Sequence, residues 1–182
     1  MSKSISEKFP LIRPIVLIGM MGAGKTSVGR ALAALLDVPF FDADTEIEAA
    51  AGCSVAQIFA DYGEAEFRRM ERLVIARLLD SGACILSLGG GAFMDETTRQ
   101  HIKRAAVSVW IKVDREILLQ RVMRHDTRPL LRGGNPEEKL TKILAERAPV
   151  YAEADLIVVC DDRPVTHNAR HIEEAIRERE RK

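Results

Sequence analysis

The stretch from Gly19 to Thr26 reads G-M-M-G-A-G-K-T, and no other part of the chain restricts its fold as much. Gly19, Gly24, Lys25 and Thr26 stand in the register of a phosphate-binding loop. Glycines let the backbone curl so that successive N–H groups face phosphate oxygens without Cβ obstruction. Lys25 brings a point charge to the outer phosphates, and Thr26 offers a hydroxyl to Mg²⁺. Before the loop, Ile15-Val16-Leu17-Ile18 is a short apolar run that reads as a buried strand. After it, Val28, Ala31, Leu32 and Leu35 recur at helical spacing, so the positive end of a helix dipole points at the same phosphates. Strand, glycine turn and helix in that order are the context the motif needs.

The rest of the chain continues the alternation. Strands are predicted at 14–18, at a short run ending in Phe40-Phe41, and at 83–88, 107–113 and 155–160. Helices are predicted over 25–36, 43–51, 54–61, 64–80, 95–104, 114–124, 136–147 and 165–180, with Ser54, Asp95 and Asp114 as N-caps and Gly82 just past the long helix. Alternation of this kind predicts an α/β fold, a three-layer α/β/α sandwich around a five-stranded parallel sheet. Ligands then bind beyond the carboxyl ends of the strands. Residues 1–13 read as a flexible tail and 14–182 as one domain. Two segments interrupt the pattern. A helical excursion over about 43–80 is too long for a simple crossover and reads as a substrate wall. The segment over about 123–136 includes H-D-T-R-P-L-L-R-G-G-N-P, carries arginines, prolines and paired glycines, and reads as a mobile cationic lid.

Composition narrows the partners. Lys plus Arg equals Asp plus Glu at 27 each, a balance that argues against a dedicated nucleic-acid or membrane-surface protein. Cys53, Cys84 and Cys160 are odd in number and widely spaced, which fits free thiols in a reducing compartment better than a disulfide framework or zinc site. Met1 to Pro14 lacks the apolar core of a signal peptide. The expectation is a cytoplasmic protein, and a monomer, since nothing in the sequence demands an interface.

Four features beyond the loop could carry chemistry. Asp42 and Asp44 follow a strand at a period of two, so both carboxylates face one way: one suits a metal shell and one a substrate, the alternative being a helix cap at Asp44. Gly89, Gly90 and Gly91 follow a strand and allow close approach by a ligand, where a tight turn needs one or two glycines at most. Arg68 lies early in the long helix. Arg147 lies just before Pro149, which is expected to end its helix. Taken alone, each arginine reads as a solvated helix residue.

The phosphate loop, Asp42-Ala43-Asp44, Phe67-Arg68-x-x-Glu71, Gly89-Gly90-Gly91, Arg128-Pro129-Leu130 and Arg147-x-Pro149-x-Tyr151 occur in the order and spacing of shikimate kinases, and the chain resembles that family from the first strand to Pro164. The family belongs to the nucleoside-monophosphate-kinase-like group of P-loop folds. The resemblance implies ATP-dependent phosphorylation of shikimate with Mg²⁺. It assigns ATP phosphates to Gly22, Ala23, Gly24, Lys25, Thr26 and Ser27, and metal binding to Thr26 and Asp42. Shikimate hydroxyls fall to Asp44, the base candidate, and the shikimate carboxylate to Arg68, Arg147 and the N–H of Gly90, with Gly89 and Gly91 beside it. Arg128 would reach the phosphates from the lid and act with Lys25. Arg121, Arg163 and Pro164 would complete the ATP site, Arg121 and Pro164 flanking adenine. Two other functions are weighed against this one. Another small-metabolite kinase of the fold, such as a gluconate kinase, lies close; the paired arginines and Asp44 favour a cyclic hydroxy-carboxylate. A GTPase switch needs N-K-x-D and D-x-x-G after a strand, and neither is present.

Overall fold

The computed structural model describes residues 11–124 and 135–181. Five strands, β1 (Ile15–Ile18), β2 (Phe40–Asp42), β3 (Ile85–Ser87), β4 (Val107–Val113) and β5 (Leu156–Cys160), form one sheet in the order β2-β3-β1-β4-β5. Its four pairings are all parallel. The helices are α1 (Lys25–Leu36), α2 (Ala43–Ala51), α3 (Val55–Leu79), α4 (Glu96–Ala105), α5 (Arg115–Met123), α6 (Pro136–Tyr151) and α7 (Val165–Glu180). All four residues of β1 are buried because it is the central strand with both faces covered. At the β5 edge the pattern alternates: Val158 and Cys160 are buried, Ile157 and Val159 exposed.

The strand order explains the layers. From β1 the chain steps outward past β3 to β2. From β3 it steps the other way, past β1 to β4. Right-handed crossovers travelling in opposite directions leave their helices on opposite faces. So α1, which packs with α7, lies on one face, and α4, which packs with α3, lies on the other. The predicted three-layer α/β/α fold is the one observed.

One contact ties α1 to the sheet edge. A Cβ on the buried Gly29 would stand 2.6 Å from Phe40 Cε2 and 3.0 Å from Leu17 Cδ1. Gly29→Ala is therefore expected to destabilise the protein. Overpacking costs about 1–3 kcal/mol, and the better helix propensity of alanine returns up to about 1 kcal/mol of that. The melting temperature should fall by several degrees; an unchanged value would mean that Phe40 swings aside without cost.

Local structure departs from expectation in four places. The helices predicted at 54–61 and 64–80 run together as α3, yet Gly63 inside it holds φ 79° and ψ 174°, so a real break survives where glycine alone is comfortable. Pro149 does not end α6, which continues to Tyr151. Proline there sits in the last turn, where only one carbonyl of the helix, that of Ala145, loses its donor. Ser54 and Asp95 cap as expected, accepting from the N–H of Gln57 and Thr98, whereas Asp114 makes no side-chain cap bond. The cap of α2 is Asp42, whose Oδ1 accepts from the N–H of Asp44 at 3.2 Å. Asp44 is thereby released from the capping role it could have had.

Cys84 and Cys160 are buried free thiols and Cys53 is half-buried. Burial pushes the Cys84 and Cys160 thiols up to about 11, away from reactivity. No described helix is long and apolar enough to cross a membrane.

Candidate active site

The sheet order lines up the functional loops. Along the carboxyl edge, the segments after β2, β3, β1, β4 and β5 follow one another in space. They bring Asp42 and Asp44, then Gly89 to Gly91, then the phosphate loop, then the α5 segment, then the turn at 161–164. The phosphate loop occupies the middle, with acidic and glycine-rich segments on one side and the α5 segment and the Asp161–Pro164 turn on the other.

The loop is shaped by its glycines. Gly22 and Gly24 hold φ of 80° and 86°, in the left-handed region. At Gly19 a Cβ would stand 2.8 Å from the Ile111 carbonyl oxygen on β4, so the space is filled by backbone that cannot move aside. Ala23 is buried and donates its N–H to the Met20 carbonyl, while Thr26 and Ser27 are exposed at the mouth. Helix α1 begins at Lys25 with no side-chain cap and no acidic residue in its first turn. Its N-terminal donors and dipole therefore remain available to an anion. Lys25 Nζ donates to the carbonyls of Gly19 (2.9 Å) and Met20 (3.0 Å), which curls the ammonium over the loop.

Thr26 and Asp42 meet across the crevice. Thr26 Oγ1 donates to Asp42 Oδ2 at 2.8 Å. A hydroxyl and a carboxylate side by side are hard oxygen donors of the kind Mg²⁺ accepts together with phosphate oxygens. Asp44 is the second residue of α2, half-buried. Desolvation holds its carboxyl above the usual range, Asp42 and Glu48 add to the rise, and Lys25 and Arg68 oppose it.

The three glycines prove to be room for side chains. A Cβ on Gly89 would stand 2.9 Å from Asp44 Oδ1, one on Gly90 2.7 Å from Arg147 Nη1, and one on Gly91 2.7 Å from Arg68 Nη2. None of the three has a positive φ. At each position the space a Cβ would fill is taken by the end of one polar side chain. The wall predicted from the glycine run thus carries Asp44, Arg147 and Arg68 in a row. Four elements, α2, α3, α6 and the segment after β3, meet there.

On the other side, Arg121 of α5 bridges two segments. Its Nη1 donates to the Gly22 carbonyl (3.2 Å), and Nη2 donates to the Asp161 carbonyl (3.0 Å) and to Asp162 Oδ1 (2.7 Å). Arg163 Nε is paired with Asp161 Oδ2 at 2.8 Å, and Pro164 is the exposed residue leading into α7. So the structure brings Arg121, Arg163 and Pro164 to one edge of the phosphate loop. Arg128 and most of the expected lid lie outside the described residues.

Two site residues were quoted in motifs without a role. Glu71 is 2 % exposed, and its Oε2 accepts from Arg68 Nη1 at 2.6 Å. Burial raises its carboxyl above the usual range, and the bond to Arg68 opposes that. Tyr151 is fully buried and donates its O–H to the Gly90 carbonyl. Both were within reach of sequence reasoning: Glu71 stands three residues after Arg68 and Tyr151 four after Arg147, spacings that place each pair on one helix face.

A central phosphate loop, with Asp44, Arg147 and Arg68 on one flank and Arg121, Arg163 and Pro164 on the other, is the layout of a P-loop phosphotransferase acting on a small acceptor. The model of the shikimate kinase family matches residues 21–177. The chain belongs to the shikimate kinase family. A shikimate kinase of Bradyrhizobium diazoefficiens is 53% identical over 152 residues, covering 84% of this chain and 73% of that protein. One of Paramagnetospirillum magneticum is 52% identical over 167 residues, covering 89% and 86%. Among solved structures, the shikimate kinase from Acinetobacter baumannii in complex with shikimate superposes with a TM-score of 0.88 at 38% identity, covering 94% of this chain and 96% of that one.

Proposed function

We propose that the protein transfers the γ-phosphoryl group of ATP to a hydroxyl of shikimate, releasing ADP and shikimate 3-phosphate. The observation that carries this reading is the row of Asp44, Arg147 and Arg68 against Gly89, Gly90 and Gly91, one strand away from the phosphate loop. Two arginine forks and a carboxylate match a small acid that carries hydroxyls. Guanidinium groups grip a carboxylate through paired, charge-assisted hydrogen bonds, and a carboxylate accepts from hydroxyls and rejects analogues that lack them.

Each residue then has a task. The loop from Gly22 to Ser27 and the open N-terminus of α1 hold the triphosphate. Lys25 leaves the Gly19 and Met20 carbonyls for the outer phosphates. Asp44 orients the attacking hydroxyl and takes its proton as the O–P bond forms. Arg68 and Arg147 fix the acceptor by its carboxylate, Arg68 held in turn by Glu71. Arg121 and Pro164 flank the base, with Arg163 alongside, and Arg128 brings a second cation to the phosphates. Thr26 and Asp42 would hold Mg²⁺. When bound, this ion would supply neutralisation of phosphate charge. Phosphoryl transfer asks chiefly for alignment and charge stabilisation, which is what these groups offer. The catalyst works as a monomer in this reading.

A coupled assay of ADP release tests it. Release should depend on both shikimate and Mg²⁺, and gluconate should be a poor acceptor. Faster turnover on gluconate, or equal ADP release without an acceptor, would overturn the proposal.

A further inference from the structure

The three carbonyls of the glycine run are all occupied. The Gly89 oxygen accepts from the N–H of Ala92 at 3.1 Å, the Gly91 oxygen from the N–H of Met94 at 3.0 Å, and the Gly90 oxygen from the Tyr151 hydroxyl. Among the described residues, the N–H groups of Gly89, Gly90 and Gly91 make no hydrogen bond. The segment therefore spends its acceptors on the protein and keeps its donors for something else. Two of those acceptor bonds are local turns. The third is different in kind: it comes from a side chain 61 residues away, at the end of α6.

That side chain also meets Arg147. Tyr151 follows Arg147 by four residues on α6, so both lie on one face. From the Cβ position of Gly90, Arg147 Nη1 is 2.7 Å away and the Tyr151 hydroxyl oxygen 3.8 Å. The proton order between the three groups is forced. A guanidinium can only donate and a carbonyl can only accept. The phenol has one proton, and it goes to the Gly90 oxygen, leaving its lone pairs toward Arg147. Burial raises the phenol above its usual range although the neighbouring Arg147 opposes this, so the proton stays in place across the working pH range. There are no cis peptide bonds among the described residues. In a planar trans peptide, C=O and N–H point in opposite directions. Anchoring the Gly90 oxygen to Tyr151 thus turns the N–H of Gly91 away from α6.

We propose that Tyr151 is a positioning residue of the acceptor pocket: its hydroxyl fixes the Gly90–Gly91 peptide and braces Arg147 against Gly90, so that the guanidinium is held in place for the substrate carboxylate. This rests on the acceptor reading given above. Tyr151 does not touch the reacting atoms, and its loss acts through affinity for the acid. Tyr151→Phe keeps the ring and its tilted contact with Trp110, whose ring centroid is 5.8 Å away. It removes only the hydroxyl.

The test measures steady-state kinetics of wild type, Tyr151→Phe and Trp110→Phe in one assay. In Tyr151→Phe the KM for shikimate should rise about tenfold, the effect of losing one ordered hydrogen bond. The kcat and the KM for ATP should stay within about twofold, the signature of lost acceptor binding. Trp110→Phe, which loosens the same packing but keeps the hydroxyl, should lower the melting temperature and leave the shikimate KM alone. A second readout does not depend on Tyr151→Phe folding. The chain has two tyrosines, and the other, Tyr62, is exposed. In a Tyr62→Phe protein labelled with 3-fluorotyrosine, the single ¹⁹F resonance should shift as shikimate is added and saturate with catalysis. It should not move with ATP alone. A shikimate KM unchanged in Tyr151→Phe, equal rises for shikimate and ATP, or a resonance indifferent to shikimate would each overturn the proposal. Wild type failing on shikimate would instead sink the acceptor reading, so the two failures are separable.

Discussion

Asp44→Asn stops phosphoryl transfer while ATP still binds. The expected fall in kcat is about 10²–10⁴-fold, the range for removing a positioned general base. Asparagine keeps the shape beside Gly89 but cannot take a proton. ATP affinity should hold, because the phosphate loop and Arg121 are untouched. The same substitution should raise stability near neutral pH, and the sign follows from linkage. Desolvation and Asp42 raise the Asp44 carboxyl above its ordinary value of 3.8 in the folded state. A raised carboxyl binds its proton more tightly when folded. Its contribution to stability is therefore fully present below pH 3.8 and is lost as pH rises through the raised value. An asparagine carries no such loss, so Asp44→Asn should melt higher than wild type at pH 7, with the gain vanishing in acid. The wild-type kcat/KM should fall on the acid side as Asp44 takes up its proton, with a limb above the ordinary carboxylate range. Near-normal turnover in the variant would reduce Asp44 to a hydrogen-bonding wall residue.

Arg147→Ala and Arg68→Ala are expected to weaken shikimate binding by roughly 2–5 kcal/mol each, the cost of removing one partner of a buried charge pair. In dissociation constant that is about 30- to 4,000-fold. Titration of shikimate by calorimetry measures it directly, and unchanged affinity in both variants removes the arginines from the site. The two should differ in a second respect. Arg68 Nη1 is the 2.6 Å partner of the Glu71 carboxylate, which is 2 % exposed. Arg68→Ala strands that carboxylate in the interior, and an unsatisfied buried group costs about 1–3 kcal/mol, more when charged. Arg68→Ala should therefore lower the melting temperature as well as the affinity. Glu71→Gln should recover part of that stability by removing the stranded charge, without restoring affinity.

The fold was largely readable in the chain because its determinants are local. Four-residue apolar runs, caps such as Ser54 and Asp95, and the glycine turn before Lys25 act over distances of a few residues. Where local signals misled, a competing local term had won. Pro149 marks a helix end only when more helix must follow it, and here two residues follow. A cap at Asp44 was the alternative to a substrate role there, and it fails because Asp42, two residues earlier, holds the extended conformation a cap requires. The candidate site residues could be picked out as well, since each of Asp44, Arg68, Gly89 to Gly91 and Arg147 sits in a motif of the right order. Their mutual arrangement was not readable. Read alone, the glycines implied backbone close to a ligand, whereas they are absent Cβ atoms that make room for three particular side chains.

The sequence by itself determined a phosphate loop between a buried strand and a helix, an alternating parallel α/β sheet, and membership of a family that works on a small anionic acceptor. The first two follow from hydrogen-bonding geometry and hydrophobic period, which repeat every two or 3.6 residues and are written along the chain; the third follows from the resemblance of the ordered motifs. Tertiary structure alone decided that Asp42 is shared between Thr26 and the cap of α2, that Glu71 holds Arg68, and that Tyr151 reaches from α6 to the Gly90 carbonyl. Such contacts depend on where the β2-β3-β1 order sets neighbouring loops and on angstrom-scale side-chain packing, and neither has a repeat in sequence that could reveal it.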